Sequence, residues 1–416
     1  MRKPSFLILG IGSFAHSTTR ILSDNGADAV TYLTRDYGHY PATLAGRAYD
    51  CRRLKSPVGL ARRADLVIPM SIDWAQAVWA KELLKSGTPV FCPYGEALLI
   101  ERERDFSQKL CNRYGIPFAR AVVARTLAEA ERLVGKKGWV IKNPLCSPTS
   151  PVHTILCETA EETRQWLKSL DYSEGVFLQE YMGRAEIGHI AIISGGKVHP
   201  VVTNQEYKRA FDGNMGVVAG APLGGIVQAD PSDRYGLCEK LIAPLLPWLR
   251  KVGYRGPLQV TAMKRGGRWH VVEYNARIGV TSGAMFLRML TDPVGLLLKA
   301  ARDEHLDVKF KKAVPFGVSV ALAGYGYPFA FVKPPELPIG YSGPLHGRNF
   351  DLWWNQVELR KGLVSGGHRL ADVVGFGGSV QSAAREAYAR IGRIRCLSSY
   401  FRTDIGGSLW PPGVGW

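Results

Sequence analysis

At 416 residues with 46% hydrophobic residues, the chain is too long for one core and apolar enough to fill several, so a globular protein of about two to four domains is expected. The excess of 53 basic over 36 acidic residues, a net charge of +17, suits nucleic acid, a membrane surface or small anionic substrates. Basic residues are spread along the chain in short clusters such as Arg62-Arg63 and Lys309, Lys311 and Lys312; there is no zinc finger, RNA-recognition signature or basic helix, and no run approaches the roughly 18 apolar residues of a membrane span. Nucleic acid and membrane are set aside in favour of phosphorylated small molecules. The seven cysteines are scattered, odd in number and without CxxC or Cys/His ligand spacing, which points to a reduced, cytoplasmic protein without zinc.

The opening MRKPSFLILGIGS has the basic start and short apolar run of a signal peptide, but GIG interrupts the run and no cleavage pattern follows, so a first buried strand is expected. Residues 4 to 100 alternate strand and helix: PSFLILGIG, a helical FAHSTTRILSDNG, DAVTYLT, ADLVIPM, a helix from Trp74 to Ser86, and the strand TPVFCPYG. This is the pattern of a doubly wound parallel sheet. Gly10 and Gly12 lie between the first strand and the first helix, where backbone amides receive a phosphate or where a glycine turn simply packs helix on sheet. From Ile100 an amphipathic helix, IERERDFSQKLCNRYG, leads to IPFARAVVA, a helix TLAEAERLVGKKG and the strand WVIKN. Lys142 ends that strand, as a phosphate ligand or as a snorkelling lysine. The loop PLCSPTSPVHT that follows contains no glycine.

GVFLQEYM reads as a strand, and HIAIISGGKVHPVV as a hairpin turning at Gly195-Gly196. Residues 205 to 225 form a long glycine-containing loop carrying Lys208, Arg209 and Asp212, and loops of that length in compact enzymes are usually functional. A helix, CEKLIAPLLPWLRKVG, precedes the hairpin GPLQVTAMKRGGRWHVVEYN. That hairpin ends in VVEYNARIG, where Glu273 and Asn275 share one face of a strand and Arg277 extends the row. A carboxylate and an amide oxygen together offer Mg²⁺ hard ligands, and a guanidinium beside them grips phosphate or carboxylate; the plainer alternative is a strand edge with a polar outer face. The last hundred residues read as another α+β unit: a strand AVPFGVSVALAGYGYPF, a hairpin strand SGGHRLADVVGFGG, a helix SVQSAAREAYARIGRI, the compact YFRTDIGG and a tail.

In this order, NQEYKRAFDGNMG, VVEYNARIG, AGYGYP and FRTDIG resemble the glycinamide ribonucleotide synthetase (phosphoribosylamine-glycine ligase) family of the ATP-grasp superfamily, over most of the chain. The resemblance implies an α/β and α+β protein: a three-layer α/β substrate-binding domain at 1–100, ATP-grasp lobes at 101–315 and an α+β domain at 316–416. It implies a ligase using ATP and Mg²⁺, with Mn²⁺ as the alternative, and small acid and amine substrates, in a monomer or homodimer. Lys142 matches the lysine that contacts ATP phosphates, and Arg104 stands where the family has a phosphate-facing lysine. Glu180, Tyr181 and Met182 match the segment that pairs with adenine, Glu186 the ribose-binding glutamate, and Glu273 and Asn275 the metal ligands. Arg277 and Asp212, with Lys208, would face the acyl phosphate or amino acid; Gly10, Gly12 and Arg209 would contact substrate.

Departures fall on the substrate side. The family's Arg-Glu pair after the first glycine turn is replaced within Gly10-Ile11-Gly12-Ser13-Phe14-Ala15-His16, its Gly-Pro-Glu by Met70-Ser71-Ile72-Asp73, and its acidic-proline run by Gly279-Val280-Thr281-Ser282. The ATP-covering glycine loop has become the glycine-free Leu145 to His153, which raises the alternative of a non-catalytic ATP-binding regulator; retention of Glu273, Asn275 and Arg277 argues against it. The expectation is an acyl-phosphate ligase whose amine, or acid, differs from phosphoribosylamine and glycine, with a divergent family enzyme as the alternative. His16, Arg35 and Lys55 are the candidates to replace the lost arginine.

Overall fold

The computed structural model describes residues 2–146, 154–329, 335–397, 399–407 and 414. The first domain is built on four parallel strands in the spatial order Arg47–Asp50, Asp28–Leu33, Ser5–Leu9, Leu66–Pro69. The near-continuous apolar runs of Ser5–Leu9 and its neighbour Leu66–Pro69 suit a parallel sheet buried on both faces, and Leu7, Ile8, Val67 and Ile68 are fully buried. Helix Gly12–Asp24 returns along it.

Two further sheets frame a cleft. A four-stranded antiparallel sheet runs Ala121–Ala124, Val176–Glu180, Trp139–Lys142, Ile155–Leu156. Its helices begin at side-chain caps: Thr126 accepts from the Glu129 amide, and Thr159 and Glu162 form a reciprocal capping box. The larger sheet has eight strands in the order Arg268–Asn275, Gly256–Arg265, Ile187–Ser194, Lys197–Glu206, Gly224–Ala229, Phe316–Ala323, Arg369–Gly377, Phe350–Trp354. It continues unbroken past residue 315, because Gly224–Ala229 pairs antiparallel with Phe316–Ala323. Helix Val380–Ile391 packs on its far end. No helix among the described residues is long and apolar enough to cross a membrane.

Several elements differ from the sequence reading, each for a local reason. The helix expected from Trp74 to Ser86 is a 3₁₀ turn, Ile72–Gln76, capped by Ser71, followed by a short helix Ala80–Lys85; burying both Trp74 and Ala80 leaves Val78 fully exposed between them. TPVFCPYG forms no strand beyond a single bridge from Val90 to Val67. The helix expected from Ile100 to Gly115 breaks at Glu103, which turns extended to bridge Leu145. Pro244 and Pro247 lack the amide hydrogen that a continuous helix from Cys238 to Gly253 needs, and split it into Leu237–Leu241, Ala243–Leu245 and Leu246–Lys251. The long loop 205–225 contains an antiparallel pair, Arg209–Phe211 with Met215–Val218, joined through Asp212–Asn214. The Gly195-Gly196 turn forms as expected, with both glycines at positive φ.

Candidate active site

Between the two sheets lies a cleft of about 270 Å³, lined among others by Arg104, Lys142, Gln179, Lys208, Glu273 and Arg277. Its floor is the hairpin Gly256–Arg265 with Arg268–Asn275. Pairing there shifts between Thr261 and Ala262, opposite Glu273 and Val271, so the strand is bulged just before Glu273. Bulges re-aim side chains, and Glu273 and Asn275 both reach the cleft.

Glu273 is the hub. Its Oε1 lies 2.8 Å from Lys208 Nζ, and its Oε2 lies 3.8 Å from Lys142 Nζ and 3.6 Å from Arg104 Nη1. Burial alone would raise the Glu273 pKa, but Lys208, Lys142 and Arg104 outweigh it and hold the carboxyl well below the usual carboxylate range. The buried Lys142 ends its strand with Nζ 2.9 Å from Gln179 Oε1, and burial pushes its pKa down to about 8 despite Glu273. This lysine does not snorkel: it is 4% exposed and its ammonium points into the cleft. Gln179 is locked from its other end, donating to the Val272 carbonyl at 3.0 Å. Lys208 bridges Glu273 to Glu186 Oε1 at 2.8 Å and Glu206 Oε2 at 3.7 Å. Burial opposes the Lys208 charge, but Glu186, Glu273 and Glu206 raise its pKa well above the ordinary lysine value.

Arg277 lies just past the strand. Its Nη2 donates to Asn275 Oδ1 at 3.1 Å, and its Nε is 3.3 Å from Glu101 Oε1. Glu101 Oε2 accepts from the Ala276 amide at 2.5 Å. Burial raises the Glu101 pKa, with Arg277 opposing. Arg104 is fixed by donating from Nε to the Asn143 carbonyl at 3.0 Å. Glu273 and Asn275 thus present hard oxygens, and the Lys208 ammonium against Glu273 marks a position that attracts a cation; this donor set fits a divalent ion such as Mg²⁺.

The remaining expected residues divide. Glu180, Tyr181, Met182 and Glu186 line the cleft. The Glu180 carboxylate turns to its rim, 2.8 Å from Lys137 and 3.0 Å from Arg265. The Tyr181 amide donates to Gly138 O and its carbonyl accepts from Arg265, so Tyr181 has its backbone groups already engaged. Arg209 lines the cleft while paired to Glu158 at 2.7 Å. Asp212 does not line it: this carboxylate sits at the hairpin tip, accepting from the Thr403 amide at 2.8 Å and from the Thr403 hydroxyl. Gly10 and Gly12 lie at the first domain's helix start, away from the cleft. His16 is buried there, Arg35 is 3.5 Å from Asp73, and Lys55 is exposed; none of the three lines the cleft. Of the glycine-free stretch 145–153, Leu145 and Cys146 line the cleft and residues 147–153 lie outside those described.

Sequence reasoning missed Gln179, Glu206, Glu101 and Glu158. Glu206 was within reach, since it stands two residues before Lys208. Glu101 was hidden in a charged stretch that reads as a solvent-facing helix. In place of the acidic-proline run, Thr281 donates to Glu206 Oε1 at 3.3 Å and Val280 lines the cleft.

Comparison with known proteins agrees with this geometry. The family model "Phosphoribosylglycinamide synthetase, ATP-grasp (A) domain" matches residues 102–281. The phosphoribosylamine–glycine ligase of Mycobacterium leprae is 29% identical, over 96% of this chain and 97% of its own. Among solved structures, the phosphoribosylamine–glycine ligase of Thermotoga maritima superposes with a TM-score of 0.76 at 23% identity, covering 96% of this chain and 99% of that one. The biotin carboxylase domain of the Hydrogenobacter thermophilus 2-oxoglutarate carboxylase, in complex with MgADP and bicarbonate, superposes with a TM-score of 0.70 at 15% identity, covering 96% and 92%. Over residues 102–281 the chain matches the ATP-grasp domain of phosphoribosylglycinamide synthetases, and along nearly its whole length it is similar to phosphoribosylamine–glycine ligases.

Proposed function

We propose that this protein is an ATP-dependent carboxylate–amine ligase working through an acyl phosphate, and that its amine, its acid or both differ from phosphoribosylamine and glycine. The observation that carries the ligase reading is the convergence of Arg104, Lys142 and Lys208 on Glu273, with Asn275 and Arg277 beside it, in one cleft. A carboxylate is a poor acyl donor because oxide is its leaving group. Attack of its oxygen on the γ-phosphorus of ATP releases ADP and gives an acyl phosphate; the amine nitrogen then attacks the acyl carbon, the C–O bond breaks, and phosphate departs with the former carboxylate oxygen while the amine loses a proton.

Lys142 and Arg104 stabilise charge on the transferred phosphoryl group, Arg277 holds the acid, Glu186 takes the ribose, and the Glu180–Met182 edge takes the adenine. When bound by Glu273 and Asn275, Mg²⁺ supplies charge neutralisation on the phosphates. No covalent enzyme intermediate is required. The altered-substrate reading rests on the loss of the family's Arg-Glu pair near Gly12, while the groups around Glu273 remain.

A second reading, a divergent phosphoribosylamine–glycine ligase, is favoured by similarity to the Mycobacterium leprae enzyme along nearly the whole chain. Incubating the protein with Mg-ATP, glycine and freshly generated phosphoribosylamine, then with panels of other amino acids and amines, separates the readings by phosphate release and product mass. Efficient formation of glycinamide ribonucleotide overturns the altered-substrate reading; absence of ADP with every pair overturns the ligase.

A further inference from the structure

The first domain carries a general signal for phosphate. In open parallel sheets, ligands sit at the carboxyl ends of the strands where the strand order reverses, here beside Ser5–Leu9 and Leu66–Pro69. The 13-residue helix Gly12–Asp24 begins there, and its N-cap residue, Ile11, makes no side-chain cap. Its first amides and positive dipole end favour an anion.

The crevice is already filled. The Met70 side chain fills the space beside Gly10, within 2.9 Å of where a Cβ would stand, and Asn355 Oδ1 lies 2.8 Å from the corresponding point at Gly12. The hydroxyl of Ser13, in the helix's first turn, donates to Asp372 Oδ2. Asp372 is 5% exposed and comes from the strand Arg369–Gly377, in the last third of the chain. Arg369, equally buried, reaches Asp372 Oδ1 from Nη2 at 2.5 Å and Oδ2 from Nε at 3.4 Å. The same guanidinium donates from Nη1 to the Pro222 carbonyl at 2.7 Å, and Pro222 lines the ATP cleft. A buried ion pair adds little over apolar residues of equal volume, so the informative feature is where this one sits: its carboxylate faces a helix turn whose free amides would otherwise favour a phosphate.

We propose that Asp372, held by Arg369 against Ser13, is a resident anion closing the phosphate crevice of the first domain, and that the amine used by this ligase carries no phosphate there. The substrate class is then a neutral or cationic amine, such as an amino acid or an alkylamine. A phosphorylated amine would have to bring its charge beside a desolvated carboxylate, and like charges exclude one another at that range. The statement about the amine rests on the ligase reading; the closure of the crevice does not.

The test uses inorganic phosphate as probe and the backbone amide resonances of Ser13 and Phe14 in the ¹⁵N-labelled full chain as readout, so it involves no turnover and stands whether or not the ligase reading does. Millimolar phosphate should leave both amides unmoved in the parent protein. In Asp372→Asn, or in Asp372→Ser where the first variant does not fold, it should shift them with an affinity at least about tenfold above the parent's. A shift at these amides in the parent protein overturns the proposal. So does a folded variant in which they remain unmoved.

Discussion

The cleft around Glu273 and the glycine turn of the first domain carry similar sequence signals, and the protein treats them in opposite ways. Around Glu273 charged side chains converge on an open space, and the pairing is shared: Lys208 lies among three carboxylates and Glu273 among three basic groups. Around Gly12 the polar groups are buried, and the carboxylate present, Asp372, is held by Ser13 and Arg369. The difference teaches that a phosphate signature in sequence is a statement about backbone, whereas its use depends on what the rest of the chain places in front of it.

Replacing Glu273 by Ala should break the open region most. Loss of the charge hub of the cleft, proposed to hold the metal, is expected to lower ADP formation by about three orders of magnitude, measured as steady-state ADP release. ADP formation at the parental rate would mean that the cleft is not where phosphoryl transfer occurs. Lys142→Ala should cost about two orders of magnitude in kcat/KM for ATP, roughly 2.7 kcal/mol, because a buried point charge aimed into the cleft is removed. Unchanged kcat/KM and unchanged ATP affinity by calorimetry would return Lys142 to a structural role.

The closed region should respond in stability instead. His16 is 2% exposed, and burial, opposed in part by the Gly38 backbone, lowers its pKa to about 3 from 6.5. Between those values the unfolded chain binds the extra proton, so this group's contribution falls as pH falls through that window. Denaturant melts should show His16 costing about 2 kcal/mol on going from pH 7 to pH 5, and His16→Leu should remove that part of the acid slope; an unaltered slope would show that the ring is solvated. The smallest effect is expected from Gly12→Ala. With φ at +71° and Asn355 Oδ1 at 2.8 Å from the new Cβ, it should destabilise by about 1–2 kcal/mol while leaving the KM for ATP and the kcat unchanged. A large rise in KM for the amine would reveal substrate contact at that turn and blur the contrast between the two regions.

Much of this architecture could be read from the residues because it depends on local pattern. Three of the parallel strands announce themselves as apolar-rich runs while Arg47–Asp50 does not, the first hairpin turn shows as Gly195-Gly196, and the Glu273, Asn275 and Arg277 row shows as spacing along one strand. What escaped depends on distant partners. Glu103 leaves its helix because it bridges Leu145; Asp212 looked like a cleft residue until Thr403, far along the chain, claimed its carboxylate. Glu101 reads as surface charge, and only the folded chain places it under Arg277 and the Ala276 amide. The filling of the glycine turn is of the same kind, since Asp372 and Asn355 arrive from the other end of the chain.

The ligase account is tested most directly by the fate of an oxygen atom. With an acid labelled with ¹⁸O in its carboxylate, in turnover with Mg-ATP and whichever amine supports it, passage through an acyl phosphate requires each molecule of released phosphate to carry one ¹⁸O from the acid. Mass spectrometry of the phosphate should show that transfer in step with ADP and amide formation, and Glu273→Ala should abolish all three together. Amide formation with unlabelled phosphate, or ADP release without label and without amide, would contradict the account.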